Sequence, residues 1–322
     1  MSTVALLFPG QGSQYPGIGK DLHDQHQVVR DTYAEATEVL GFDIARLSFE
    51  DPASEINLTR NTQPVLLTHS IACHRLFDKL TGGGISPSMA AGHSLGEYSA
   101  LVAAGALSFA LGLRLVRRRG ELMGEFGEGE MEALMVDLES ATTLAEQHYC
   151  GIAACNLPEQ IVVGGRPDDL DALVATMGER FPRKRSARLK TEGAFHTYYM
   201  VEAARRFRPV LEAAGFGTPA FPVLSNFTGG VHDASPDSIR SGLFLQLFNP
   251  VLWHRNLLTA GGLGADIMIE FGGGLGGGET AADKRPNLEG IVKKAFRGTE
   301  CRPAYFPVIN ARTLEETVAA LG

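Results

Sequence analysis

The sequence has little cysteine, no long apolar run and no surplus of positive charge, and each shortage excludes a class of protein. Its four cysteines, Cys73, Cys150, Cys155 and Cys301, stand apart without a C-x-x-C pair. That scatter argues against a disulfide framework or a zinc site and fits reduced thiols in the cytoplasm, with packing as their default role. No stretch approaches the roughly 20 apolar residues that a bilayer span needs, so a membrane protein is not expected. Residues Met1 to Phe8 carry no basic segment ahead of their apolar run; they read as a short buried strand ending at Pro9-Gly10, with no export signal. A net charge of −8 argues against general nucleic-acid binding. No repeat of fixed period appears. No metal or other cofactor is expected, and the chain is expected to act as a monomer.

What is present is an ordinary globular composition, 44% hydrophobic and 20% charged, over 322 residues. That length exceeds one compact core and points to a large domain with a smaller subdomain. Strand-like runs alternate with helical patterns. Val4 to Phe8 reads as strand, Val28 to Leu40 and Gln63 to Leu80 as helices with Thr62 capping the second, and Met89 to Gly92 as strand. The alternation predicts an α/β fold with a mainly parallel sheet. Over residues 130–192 the order becomes strand (133–138), helix (140–149), strand (151–156), strand (160–164), helix (167–177), strand (186–191), which is the ferredoxin-like β-α-β-β-α-β arrangement. The expected organisation is a large domain over 1–129 and 193–322 with a ferredoxin-like subdomain inserted at 130–192, forming one wall of a cleft. After the insertion, a helix is expected over 196–214, a strand over 221–226, a helix over 239–248 and a strand over 266–271.

Gly92-His93-Ser94-Leu95-Gly96 stands between the strand ending at Gly92 and a helix from Leu95 to Leu101. In that setting Gly-x-Ser-x-Gly is a nucleophile elbow, as in α/β-hydrolase-like folds: glycines flank a sharp turn that a Cβ would obstruct, and the turn exposes the serine hydroxyl. The helix start aims main-chain N–H groups at the oxyanion formed when Ser94 attacks a carbonyl. A serine hydroxyl needs a base. Of nine histidines, His93 should point away from Ser94, and His69, His74 and His148 lie in helical patterns. His196 follows Gly193-Ala194-Phe195 where the subdomain rejoins the large domain, yet residue type alone does not select it.

Taken together, the motifs resemble those of malonyl-CoA:acyl carrier protein transacylases and the related acyltransferase domains of polyketide synthases. The anchors are Phe8-Pro9-Gly10-Gln11-Gly12-Ser13-Gln14, Gly92-His93-Ser94-Leu95-Gly96-Glu97, Arg119-Gly120, Ala194-Phe195-His196 and Leu245-Gln246-Leu247-Phe248-Asn249-Pro250, spread over nearly the whole chain. The resemblance implies that Ser94 attacks a thioester while His196 takes its proton, and that the phosphopantetheine thiol of an acyl carrier protein then receives the acyl group. It further implies an oxyanion hole from the main-chain N–H groups of Gln11 and Leu95, support of the histidine at Gln246, and recognition of the malonyl carboxylate by Arg119. Phe195 and His93 are assigned to the acyl pocket, where a bulky Phe195 favours malonyl over an α-substituted unit. By spacing alone Arg114, Arg117, Arg118 and Arg119 equally describe a solvated helix face; only the family pattern distinguishes Arg119. Malonyl-CoA and an acyl carrier protein are the expected partners.

Two departures from the family pattern stand out. Tyr198 and Tyr199 follow His196 where smaller residues are usual, near the acyl pocket or facing solvent or carrier. Gly272 to Gly278, with charged residues from Glu279 to Asn287, replaces a short Gly-Pro-Gly turn. It satisfies G-x-G-x-x-G, but no apolar helix follows to present its N-terminus to a pyrophosphate, so a flexible loop is expected. Two basic runs, Arg180, Arg183, Lys184, Arg185, Arg188 and Lys190, and Arg205, Arg206 and Arg208, describe either docking faces for an acidic carrier or, equally, solvated faces. The alternatives are carrier-to-carrier transfer, an editing thioesterase, and a carrier-binding module without catalysis.

Overall fold

The computed structural model describes residues 2–278 and 280–322. Met1 and Glu279, which open the N-terminal stretch and the charged stretch after the glycines, lie outside them. Among the described residues eight strands form two sheets. In chain order they are β1 (Val4–Phe8), β2 (Pro87–Gly92), β3 (Glu130–Leu134), β4 (Gly151–Leu157), β5 (Gln160–Gly165), β6 (Ser186–Leu189), β7 (Ile267–Phe271) and β8 (Ala304–Val308).

The first sheet has the order β2-β1-β7-β8 and all its pairs are parallel, with Leu6 opposite both Ala90 and Ile269. Every residue of β1 is buried. That is the signature of a parallel sheet covered on both faces, where alternation gives way to a continuous apolar run. The helix Thr59–Leu80 packs against Gln27–Leu40, Phe109–Phe126 and β7. It starts at Thr59, one turn earlier than the sequence suggests, so Thr62 is not its cap; the Thr62 hydroxyl instead donates to the carbonyl of Ile56 at 2.6 Å. Pro64, lacking an N–H, leaves the carbonyl of Arg60 free, and the Arg117 guanidinium supplies a donor to it at 3.0 Å.

The second sheet has the order β4-β5-β3-β6, antiparallel throughout, with helices Leu138–Gln147 and Pro167–Arg180 between its strands. Both the connectivity and the order are ferredoxin-like. Period-two alternation splits its side chains. Leu134, Ile161 and Val163 join the two helices in a separate small core, while Met131, Ala133, Ala154 and Val162 belong to the main core. The sheet is therefore a wall with one face turned to its own helices and the other to the rest of the molecule.

Other boundaries also differ from expectation. β3 stops at Leu134 because Asp137 caps the next helix, its carboxylate accepting from the N–H of Ser140 at 2.9 Å. The helix expected from His196 begins as a 3-10 turn at Tyr198–Met200 and is α-helical only over Val201–Ala213. The strand expected over 221–226 is reduced to two isolated bridges, Val223 with Ala90 and Leu224 with Val231. Pro222 offers no donor there, and the chain turns at once, with Gly229 donating to the carbonyl of Ser225. The glycine-rich stretch is pinned rather than free: Gly274 donates to Ser13 at 2.8 Å, Leu275 bridges Arg285, and the buried Lys284 donates to the carbonyl of Gly276 at 3.0 Å. The next α-helix is Glu289–Ala295, so no helix opens on the glycines.

Candidate active site

β2 delivers the chain to Ser94, which takes a left-handed conformation with φ of 53°. The flanking glycines are required by contact. A Cβ on Gly92 would lie 1.9 Å from the backbone of Gly96, and one on Gly96 would lie 2.2 Å from the carbonyl oxygen of Phe8. The strained turn is held by Asn226, whose Oδ1 accepts from the N–H of Ser94 at 2.6 Å and whose Nδ2 donates to the carbonyl of Gly92 at 2.8 Å.

His196 meets this serine from the segment that rejoins the large body after β6. Its Nε2 lies 2.7 Å from Ser94 Oγ and its Nδ1 lies 2.7 Å from the carbonyl oxygen of Gln246. A carbonyl only accepts, so the proton sits on Nδ1 and Nε2 is left to accept from the serine hydroxyl. Burial, with a lesser contribution from the Arg119 charge, pulls the His196 pKa down to about 3 against the stabilising bond to Gln246. The imidazole is therefore neutral at physiological pH, the form a general base requires.

Arg119 comes from the helix Phe109–Phe126, which Ser108 caps at 3.2 Å through Leu111. Gly120 lets this helix press against the start of Thr59–Leu80, where a Cβ would sit 2.6 Å from the carbonyl oxygen of Thr59. The approach carries Arg119 inward to 1% exposure, while Arg114 and Arg118 remain at the surface. Arg119 Nη2 donates to Ser94 Oγ at 3.2 Å and to Gln246 Oε1 at 3.0 Å. Its buried Nε has no partner among the described residues. A buried guanidinium with a donor to spare has the means to bind an anion.

These groups open on a cavity of about 550 Å³ between the two sheets. Gln11, Ser94, Leu95, Arg119, Phe195, His196 and His93 all line it, opposite Met131, Ala154, Asn156, Val162 and Leu189 of the second sheet. The main-chain N–H groups of Gln11 and Leu95 donate to no described backbone or side-chain acceptor, which leaves two donors beside the nucleophile. His93 does turn away from Ser94: its Nε2 meets Asn156 Oδ1 at 2.8 Å and its ring lies 5.5 Å from that of Trp253. Asn226 and Asn156 were not singled out by the sequence reading, because their partners lie far away along the chain.

Other candidates fall outside the site. Tyr198 and Tyr199 stack at 4.4 Å and do not line the cavity; Tyr198 is exposed and donates to the carbonyl of Tyr149 at 2.6 Å. Two of the six cations in the basic run on the second sheet are neutralised. Arg188 is enclosed by Glu130, Glu132 and Asp171, and Lys184 pairs with Glu159. Arg205 and Arg206 share Glu202, and Arg208 pairs with Glu212. Among the described residues of the run on the second sheet Arg180, Arg183, Arg185 and Lys190 remain exposed and outside any ion pair, Arg180 donating to Gln147 at 2.7 Å and Lys190 lying at the cavity. No group of acidic, histidine and cysteine side chains able to hold a metal ion occurs among the described residues.

A sequence model of the family described as "Acyl transferase domain" matches residues 5–235. Malonyl CoA-acyl carrier protein transacylase of Bacillus subtilis is 38% identical over 330 aligned positions, covering 100% of this chain and 98% of the relative. The polyketide biosynthesis malonyl CoA-acyl carrier protein transacylase BaeC of Bacillus velezensis is 36% identical, covering 94% and 99%. Among solved structures, malonyl-CoA:acyl carrier protein transacylase of Xanthomonas oryzae superposes with a TM-score of 0.89 at 32% identity, covering 99% of this chain and 98% of that one. A malonyl-transacylase in complex with its type II PKS acyl-carrier protein gives 0.87 at 32% identity, covering 99% and 100%. The nucleophile elbow, the inserted antiparallel sheet and these likenesses agree: the chain belongs to the acyl transferase domain family, in its malonyl CoA-acyl carrier protein transacylase branch.

Proposed function

We propose that this protein moves a malonyl group from CoA to the phosphopantetheine thiol of an acyl carrier protein through an ester on Ser94. The observation that carries the reading is the contact of Arg119 with the nucleophile: the buried guanidinium lies 3.2 Å from Ser94 Oγ, so a carboxylate bound there places the far carbonyl of a three-carbon diacid at the serine. Acetyl groups lack that carboxylate and leave the charge unanswered.

The steps follow from the hydrogen bonds. His196 Nε2 takes the Ser94 proton as Oγ bonds to the thioester carbon, and the carbonyl oxygen, now negative, receives the N–H groups of Gln11 and Leu95. As the C–S bond breaks, the imidazolium returns its proton to the departing CoA sulfur. The carrier thiol then gives its proton to His196, attacks the ester carbon, and Ser94 leaves as the hydroxyl it began as. Gln246 holds the imidazole through its main-chain carbonyl, a neutral acceptor in the place where many serine enzymes use a carboxylate. Phe195 and His93 bound the acyl pocket, and the ring of Phe195 leaves little room for an α-substituent.

The exposed cations Arg180, Arg183, Arg185 and Lys190, the last of them at the cavity, give an acidic carrier a docking edge on the second sheet. The four free cysteines suit a reducing compartment, and no described helix is long and apolar enough to cross a membrane; cytoplasmic residence is the matching location. Intact-protein mass spectrometry tests the reading. Incubation with malonyl-CoA is expected to add one malonyl mass to the wild type and none to Ser94→Ala, and Arg119→Ala is expected to lose malonyl transfer about a hundredfold more than acetyl transfer. Absence of acylation by malonyl thioesters, or equal losses in Arg119→Ala, overturns it.

A further inference from the structure

Beneath Ser94 lies a carboxylate that none of these steps uses. Glu97 is fully buried on the helix Gly96–Ala103, outside the cavity lining. Its Oε2 accepts from Gln246 Nε2 at 2.8 Å and from the main-chain N–H of Asn226 at 2.9 Å, and its Oε1 accepts from the buried His232 at 2.6 Å. Three donors converge on this carboxyl group, which is what burial of so polar a side chain requires.

The Gln246 amide joins this carboxylate to the site. Its Nε2 also donates to the carbonyl of Ser94 at 2.9 Å, so the opposite end, Oε1, faces Arg119 Nη2 at 3.0 Å. Turning the amide over would set its NH2 against the guanidinium and its oxygen against the carboxylate, two repulsions in place of two attractions. Glu97 thus dictates the sense of the amide. Burial draws the Arg119 pKa down, and Glu97, after Tyr98, works against that lowering. One amide stands between them. Were Glu97 to pair with Arg119 directly, it would occupy the fork that an incoming carboxylate needs.

We propose that Glu97 is a positioning residue for acyl-group selection, holding Arg119 oriented and unoccupied through the Gln246 side chain. The inference rests on the reading of Arg119 as the carboxylate receptor. It predicts an effect on the choice between acyl groups, beyond any effect on the chemistry of the serine.

The test compares acylation of Ser94 by malonyl-CoA and acetyl-CoA in the full chain for wild type, Glu97→Gln, Arg119→Ala and the double variant, with thermal unfolding recorded for each. Glu97→Gln is expected to lower the malonyl-to-acetyl ratio of kcat/KM about tenfold, mainly through a higher KM for malonyl-CoA. In the Arg119→Ala background the same change should leave the ratio where Arg119→Ala alone puts it. Equal losses for the two donors in Glu97→Gln, or a further fall of the ratio in the double variant, overturn the proposal. An Arg119→Ala ratio equal to wild type refutes the Arg119 reading itself; a collapsed ratio in Arg119→Ala with an intact one in Glu97→Gln refutes only the role of Glu97. If Glu97→Gln does not fold, Glu97→Asp keeps the charge but withdraws it from Gln246 by one methylene; a fallen ratio supports the proposal and a wild-type ratio overturns it.

Discussion

On the wall of the cleft supplied by the parallel sheet and its helices, polar side chains are tied to one another. Ser94 is held by Asn226, His196 by Gln246, and Arg119 by Gln246 and the serine itself. The facing wall, from the antiparallel sheet, offers Met131, Ala154, Val162 and Leu189, with Asn156 as its hydrogen-bonded contact to His93. The first wall needs fixed angles, because proton transfer fails when donors and acceptors drift. The second needs volume and dryness. A small sheet with its own apolar core can present such a surface without contributing a reacting group.

If that division is right, substitutions should sort by wall. The largest effect is expected from His196→Ala, which removes the base while leaving the cavity: acylation of Ser94 by malonyl-CoA should slow about a thousandfold in single-turnover mass measurements. Rates near wild type would mean another group on the first wall accepts the proton. Next, on the outer edge of the second sheet, reversing Arg183 and Arg185 to glutamate should raise the KM for the carrier about tenfold and leave acylation by malonyl-CoA unchanged. Unchanged carrier kinetics would remove that edge from docking. Smaller again is Val162→Ala on the second wall, where malonyl-CoA kinetics should change less than about tenfold for malonyl and acetyl alike. A selective loss of malonyl transfer there would show that the second wall takes part in choosing the acyl group.

The smallest expected change concerns pH. Because burial draws the His196 pKa from the ordinary 6.5 to about 3, kcat/KM for acylation by malonyl-CoA should show no break near 6.5 as the buffer is acidified. Stability behaves differently. Between about 3 and 6.5 the unfolded chain binds a proton at this position and the folded chain does not, so His196 makes the fold less stable as pH falls through that window. A pH-rate profile that bends near 6.5 would place His196 in a wetter setting than the cleft provides.

Local constraints explain which parts were legible beforehand. The elbow could be read because Gly92 and Gly96 make contacts dictated by a turn of a few residues, and the ferredoxin-like order could be read because its strands alternate with period two. Arg119 could not be separated from Arg117 and Arg118 by spacing, since what distinguishes it is the approach of a second helix at Gly120. Asn226 was hidden for a similar reason: it serves Ser94 across 132 positions of chain. The 221–226 stretch has the residue types of a strand, yet Pro222 and the turn at Ser225 confine it to two isolated bridges. The pairing of Arg188 is not legible in the basic run because its carboxylates come from another strand and a helix.

The backbone at the reacting pair has one more consequence. Ser94 and His196 are both non-glycine residues at positive φ, 53° and 62°. Side chains rarely accept that conformation, so at these two positions the fold would be more comfortable with glycine. A redesign that rewarded only resistance to heat would drift toward erasing the chemistry proposed for this pair, although Asp51, Ser54 and Tyr149 share the conformation outside the cavity.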